Sequence, residues 1–374
     1  MEFRDLKVQY QSLKTEMDAA VLDVMETGNF VMGSQVRELE AELAEFVGVK
    51  HCVTCANGTD ALEIALMAWG IKEGDAVFVP DFTFFSSGEV VSLVGGTPVF
   101  VDVYEDTFNI NVEELEEKIK SVIQEGILRP RVILSVDLFG QPADYIKIYK
   151  IAEKYHLLIL EDGAQGFGGA IGEKRACGFG HISTTSFFPA KPLGCYGDGG
   201  AIFTDSDEWA ELLKSIHIHG KGTGKYDNVR IGRNSRLDTL QAAILQIKLK
   251  AFRERELDLV NKVANFYSEK LCKFVEIPVI HAGFYSSWAQ YTIKLSDMRE
   301  RDHLKKYLEE KGIPSMVYYP KLMHQQEAFG IFNISNENEK RNLCGRVLSL
   351  PIHPYMNKKE TQYVVDSISK FFEK

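Results

Sequence analysis

Between residues 51 and 160 the chain alternates short, continuously apolar runs with stretches of helical period. This alternation constrains the fold more than any other feature. Residues 53–56, 76–80, 98–101, 132–136 and 157–160 read as strands, and residues 61–66, 87–93 and 112–123 read as helices. A strand apolar at successive positions needs cover on both faces. The expected fold is therefore α/β, with a mostly parallel sheet sandwiched by helices. Ligands in such sheets sit at the carboxyl ends of the strands. Gly58, Thr59, Thr83 and Asp162 fall there.

After Asp238 the pattern turns long and helical through about residue 271, with Leu240, Ala243, Ile244 and Ile247 at helical spacing. A strand over 288–295, a helix over 302–311 and a strand over 314–318 are expected beyond it. The natural division is a large domain, 1–249, and a smaller C-terminal α/β domain, 250–374.

Composition excludes several function classes. Lys and Arg total 43 against 53 Asp and Glu, a formal net charge of -10, which disfavours nucleic acid as a partner. No apolar run reaches the roughly 20 residues of a membrane span, and the first residues carry no secretory apolar core. A cytoplasmic location is expected. Cys52 and Cys55 form a C-x-x-C, but on a strand positions three apart face opposite sides, so they read as buried structural thiols. Residues 220–225 resemble a P-loop only faintly, with Tyr226 where Ser or Thr would stand. Residues 166–171 begin like a dinucleotide fingerprint and end in Ile171, so that reading is also rejected.

The chemistry-bearing residues lie elsewhere. Lys191 is set among Phe187, Phe188, Pro189, Pro192 and the glycines of Gly197-Asp198-Gly199-Gly200, just past an expected strand. Burial there lowers an amine's pKa and frees it for nucleophilic attack. Asp162 ends the apolar strand before it, where an unpartnered carboxylate is costly. A lysine that forms an imine and an aspartate facing a pyridinium nitrogen are the protein's share of pyridoxal 5'-phosphate chemistry. Gly58 and Thr59 open a helix whose free amides suit a phosphate, although Asn57, Thr59 and Asp60 also suit a simple helix cap. Phe84 is the expected ring-stacking residue, with Phe82 and Phe85 left to the core, and Gln165 is expected to reach the ring's phenolic oxygen. Together these residues point to an aminotransferase.

The chain resembles the sugar aminotransferases of the DegT/StrS type, within the fold type I (aspartate aminotransferase) superfamily. The resemblance is carried by residues 28–33, 57–62, 161–165, 186–191, 197–200, 234–238 and 349–354. It implies a homodimer with active sites at the subunit interface. It also implies that Ser186 and the Gly58 and Thr59 amides hold the cofactor phosphate. Asn234 would reach the neighbouring subunit's cofactor phosphate, and Arg236 would lie beside it near the substrate. The implied amino donor is L-glutamate and the acceptor a nucleotide-linked keto-sugar. Leu193-Gly194-Cys195-Tyr196-Gly197-Asp198-Gly199-Gly200 resembles members acting at C3 of the sugar rather than C4, most of all those acting on a 3-keto-N-acetylglucosaminuronate. Tyr318 stands where those members usually carry histidine, before Tyr319 and Pro320, and both tyrosines are expected at the substrate. Arg230, Arg233 and Lys321 are basic candidates for the diphosphate. Sugar dehydratases on the same scaffold replace the lysine with histidine, so Lys191 speaks against that reading, and a non-catalytic regulator is the remaining alternative.

Overall fold

A computed structural model describes residues 1–224, 226–332 and 343–373. Lys225, part of the rejected P-loop, lies outside them. Seven strands form the central sheet: β1 (His51–Cys55), β2 (Asp75–Pro80), β3 (Thr97–Val101), β4 (Arg129–Val136), β5 (Leu158–Asp162), β6 (Ile182–Ser186) and β7 (Gly200–Thr204). Their spatial order is β1-β7-β6-β5-β4-β2-β3. Only β7 is reversed, pairing antiparallel with both β1 and β6, while the other pairs are parallel.

The apolar runs are continuous because both faces are covered. On β2, Val77 and Val79 join one buried cluster with Leu62 and Ile64 from helix α1 (Gly58–Ala68). Ala76 and Phe78 join another on the far face, with Leu115, Ile119 and Ile148. Each such side chain contributes roughly 1.5–3 kcal/mol by burial, as an upper estimate. On β1, Cys52 packs on one face and Cys55 on the other, as strand geometry requires of positions three apart.

The C-terminal part differs from the sequence reading in three places. Residue 250 lies inside an unbroken helical run, Thr239–Ala251, a π-turn at Phe252–Glu256 and Leu257–Leu271. The separate apolar cluster of this part draws on residues from Val260 onward. The strand expected over 288–295 shrinks to Tyr291–Lys294, paired antiparallel with Val347–Leu350. Over 314–318 only Met316 pairs, exchanging both backbone bonds with Ser349. Pro314 has no N–H to give a ladder, and Tyr318 and Tyr319 turn toward the cavity described below.

Behind the sheet's carboxyl edge, Glu161 is fully buried and accepts bonds from four donors: Cys177 N (2.5 Å), Phe179 N (2.6 Å), Gly180 N (2.9 Å) and Ser183 Oγ (2.7 Å). It ties the 177–183 connection to β5. Asp137 is also buried, with Oδ1 accepting from Ala143 N and Tyr145 OH. Asp137 Oδ2 has no hydrogen-bond partner among the described residues, and a proton on it would give it a donor to share with nearby Glu161. Burial, then Glu161's charge, push the Asp137 carboxyl well above the aspartate range.

The fold thus holds a proton on Asp137 more tightly than the unfolded chain does. Stability from this site is present at low pH and falls as pH rises. Asp137→Asn supplies a donor to Glu161 without needing a proton. We expect its melting temperature to fall less between about pH 5 and 8 than the wild type's. A slope as steep as the wild type's would mean Asp137 is ionised in the fold.

Candidate active site

The carboxyl ends of β1, β2, β5 and β6 open into a cavity of about 470 Å³. Gly58, Thr59 and Ser186 line one part of it, and Asp162, Gln165 and Lys191 another. Phe84, Tyr318 and Tyr319 form its walls. Asn234 and Arg236, also expected at a site, do not line this cavity. Asn234 is exposed, and Arg236 Nη2 donates to its Oδ1 at 2.5 Å. Arg230 donates to Ser215 Oγ, Arg233 pairs with Glu63, and Lys321 is exposed; none of the three lines the cavity. A wider, shallow recess along residues 218–232 includes Arg230 but none of the Lys191 cluster.

The cradle end follows from the β1-to-α1 turn. Asn57 caps α1, its Oδ1 accepting from Asp60 N at 2.8 Å. The capping role and an anion role coexist, because first-turn amides at Gly58 and Thr59 have no preceding carbonyl to bond within the helix. A Cβ at Gly58 would lie 2.7 Å from Ser186 Cβ. Glycine is therefore what lets the helix start approach the Ser186 hydroxyl. Thr59 Oγ1 bonds Ser86 Oγ at 2.8 Å, which fixes a second hydroxyl at the same rim.

The opposite end is acidic and basic at once. Asp162 Oδ2 accepts from Ser87 Oγ at 2.8 Å, and Oδ1 from Ala164 N at 3.1 Å. Burial raises the Asp162 pKa, opposed by the Ser87 bond, the Lys191 charge and the Ala164 bond. Burial lowers the Lys191 amine, and Asp162 pulls it back up. Each charge offsets part of the desolvation that acts on both. The side-chain and backbone donors add to the carboxylate's side of that balance.

Gln165 is fixed at both ends. Its Oε1 accepts from Phe139 N at 2.8 Å, and its Nε2 donates to Tyr319 OH at 3.0 Å. Burial raises the Tyr319 phenol well above its usual range. Asp81 anchors the segment after these tyrosines, accepting from His324 N at 2.9 Å and pairing with the His324 ring at 2.5 Å. Phe84 is half-exposed with its ring 6.3 Å from Tyr319, whereas Phe82 is fully buried and Phe85 packs against Phe329.

These residues fit a phosphorylated pyridine aldehyde. A hydroxyl-and-amide cradle closed by Gly58 suits the phosphate, and a buried carboxylate suits a ring nitrogen that must stay protonated. An amine lowered by burial suits the aldehyde. Sequence reasoning missed Ser86, Ser87 and the wall residue Gln290. The only available signal was two hydroxyls in the first turn of a helix that follows a strand. Ser87→Ala removes a bond to a charged group, worth about 1.5–3 kcal/mol. We expect cofactor affinity, read by equilibrium dialysis, to weaken by about ten- to a hundredfold, with the fold retained by circular dichroism. Unchanged affinity would make Ser87 a bystander.

Comparison with known proteins adds four findings. Residues 11–369 match the DegT/DnrJ/EryC1/StrS aminotransferase family. The UDP-2-acetamido-2-deoxy-3-oxo-D-glucuronate aminotransferase of Pseudomonas aeruginosa is 41% identical over 374 residues, covering 99% of each chain. The UDP-N-acetyl-3-dehydro-alpha-D-glucosamine 3-aminotransferase of Acidithiobacillus ferrooxidans is 36% identical, covering 98% of this chain and 96% of the relative. Among solved structures, a DegT DnrJ EryC1 StrS aminotransferase from Brucella abortus shares 46% identity and a TM-score of 0.96, with all of both chains covered.

Proposed function

This chain belongs to the DegT/DnrJ/EryC1/StrS aminotransferase family, and from that premise we propose that it moves an amino group from L-glutamate to C3 of a nucleotide-linked keto-sugar, using pyridoxal 5'-phosphate. The observation that carries the reading is the shared cavity: Lys191 and Asp162 influence each other's charge there, with the Gly58–Ser186 cradle at the other end. The 3-keto-sugar substrates named for the Pseudomonas and Acidithiobacillus relatives support C3 as the position.

Gly58, Thr59 and Ser186 would hold the cofactor phosphate, Asp162 the ring nitrogen, and Phe84 a face of the ring. Lys191 is its covalent anchor. When bound, the cofactor supplies an electron sink for the negative charge left at carbon after proton loss. This chain's residues do the rest. Lys191 Nζ takes and returns the proton, a task suited to an amine that burial has lowered. Asp162 stays ionised with help from Ser87 and Ala164. Gln165 turns a donor toward the cavity, its carbonyl end being held by Phe139 N. Tyr318 and Tyr319 wall the substrate side.

Asn234 and Arg236 sit together at the surface of this chain, outside its own cavity. That placement fits residues that complete the site of a second copy, and we assign a homodimer on this ground. The six cysteines are all free, which suits a reducing compartment such as the cytoplasm. Among the described residues no helix is long and apolar enough to cross a membrane.

Protein loaded with pyridoxal 5'-phosphate should absorb in the visible, and L-glutamate should bleach that band as the amino group is taken up. Lys191→Ala should lose the band and lower turnover by at least about a thousandfold. Turnover retained in that variant, or a band indifferent to glutamate, would overturn the assignment.

A further inference from the structure

Arg4 reaches across 188 positions of sequence to the residue after Lys191. Its Nη2 donates to the Pro192 carbonyl at 3.0 Å. Within the turn itself, Lys191 N bonds Phe188 O at 2.8 Å and Cys195 N bonds Phe187 O at 2.7 Å, while Pro192 has no N–H to offer. Glu256, a buried carboxylate, lies near enough to act on the Arg4 charge, and it accepts from Gln9 Nε2 at 3.2 Å and from Tyr355 OH. Burial lowers the Arg4 pKa to about 10, opposed by Glu256 and Tyr355.

The same place holds a buried cation. Lys248 is 1% exposed, and its Nζ lies 4.6 Å over the Tyr196 ring with no hydrogen-bond partner among the described residues. One residue before Arg4, Phe3 meets the cavity wall at Tyr318 edge-on, ring centroids 6.2 Å apart. Residues 3 and 4 therefore touch both the lysine's turn and the substrate wall. Covering apolar surface needs no charge. Half-burying a guanidinium to bind one carbonyl has a cost that an apolar side chain would not carry, so the bond points to that carbonyl's position.

We propose that Arg4 is a positioning residue for Lys191: its bond to the Pro192 carbonyl holds the 187–195 turn closed, while Phe3 braces the adjoining wall at Tyr318. The inference rests on the assigned role of Lys191. A closed turn keeps the Lys191 amine dry beside Asp162, and a loosened turn hydrates it. Hydration raises the amine's pKa and shrinks the free-amine fraction at neutral pH.

The test is reductive methylation of the cofactor-stripped full chain by formaldehyde and cyanoborohydride, read by mass spectrometry across pH. Exposed Lys262 is the internal reference. Arg4→Met combined with Glu256→Gln removes one positive and one negative charge, so the net charge around buried Lys248 is unchanged. We expect Lys191 labelling at neutral pH to fall about tenfold, its midpoint moving up by about one pH unit. In the loaded enzyme, kcat should fall about tenfold with KM changed less than about threefold. If the double variant does not fold, Arg4→Lys decides. It keeps the charge but replaces the planar guanidinium by a single ammonium on a shorter reach, so a smaller shift in the same direction is expected. A folded variant whose Lys191 profile and kcat match the wild type, with only the melting temperature lowered, overturns the proposal. Wild-type Lys191 that labels no faster than Lys262 would instead overturn its assigned role, and the proposal with it.

Discussion

Two opposite charges at the end of a buried strand are expensive, and the rest of the site is arranged around that expense. Taken alone, desolvation would protonate Asp162 and neutralise Lys191. Each charge offsets part of the other's cost. The Ser87 hydroxyl and the Ala164 amide then favour the carboxylate further. Burial remains the larger effect at both groups: the Asp162 pKa stays raised, and the Lys191 amine gives up its proton more easily than a surface lysine. A transaminase needs both groups, because one must stay anionic while the other carries a proton back and forth.

Glu161 and Asp162 show how a strand assigns different work to identical chemistry. They are neighbours in sequence, and a strand sends neighbours to opposite faces. Glu161 meets four donors from the 177–183 segment, which makes it structural. Asp162 lines the cavity and bonds a single side-chain hydroxyl, which leaves it capacity for a ligand.

Much of this was legible in the sequence because the signals were local. Continuous apolar runs implied a sheet covered on both faces, and β2 buries alternate residues in two different clusters. Gly58, Ser186 and Lys191 stood out by their neighbours. What stayed hidden depends on contacts between distant positions. Ser87 gains its meaning from Asp162, 75 positions away, and Arg4 from Pro192, 188 away. The strand read over 314–318 had suitable composition but pairs only at Met316. A boundary placed at 250 followed a change of pattern, whereas the chain crosses that point as helix.

The reversal of β7 has an architectural consequence. Lys191 lies in the connection between β6 and β7, adjacent strands that run in opposite senses. A parallel successor would demand a crossover to the far edge and back. Here the connection leaves and re-enters at one rim, the rim that borders the cavity. Residues could be inserted or deleted in this connection, reshaping the floor beneath the substrate, while the ladder on either side kept its pairing. A scaffold of this kind can diversify what it accepts without reopening the problem of how it folds.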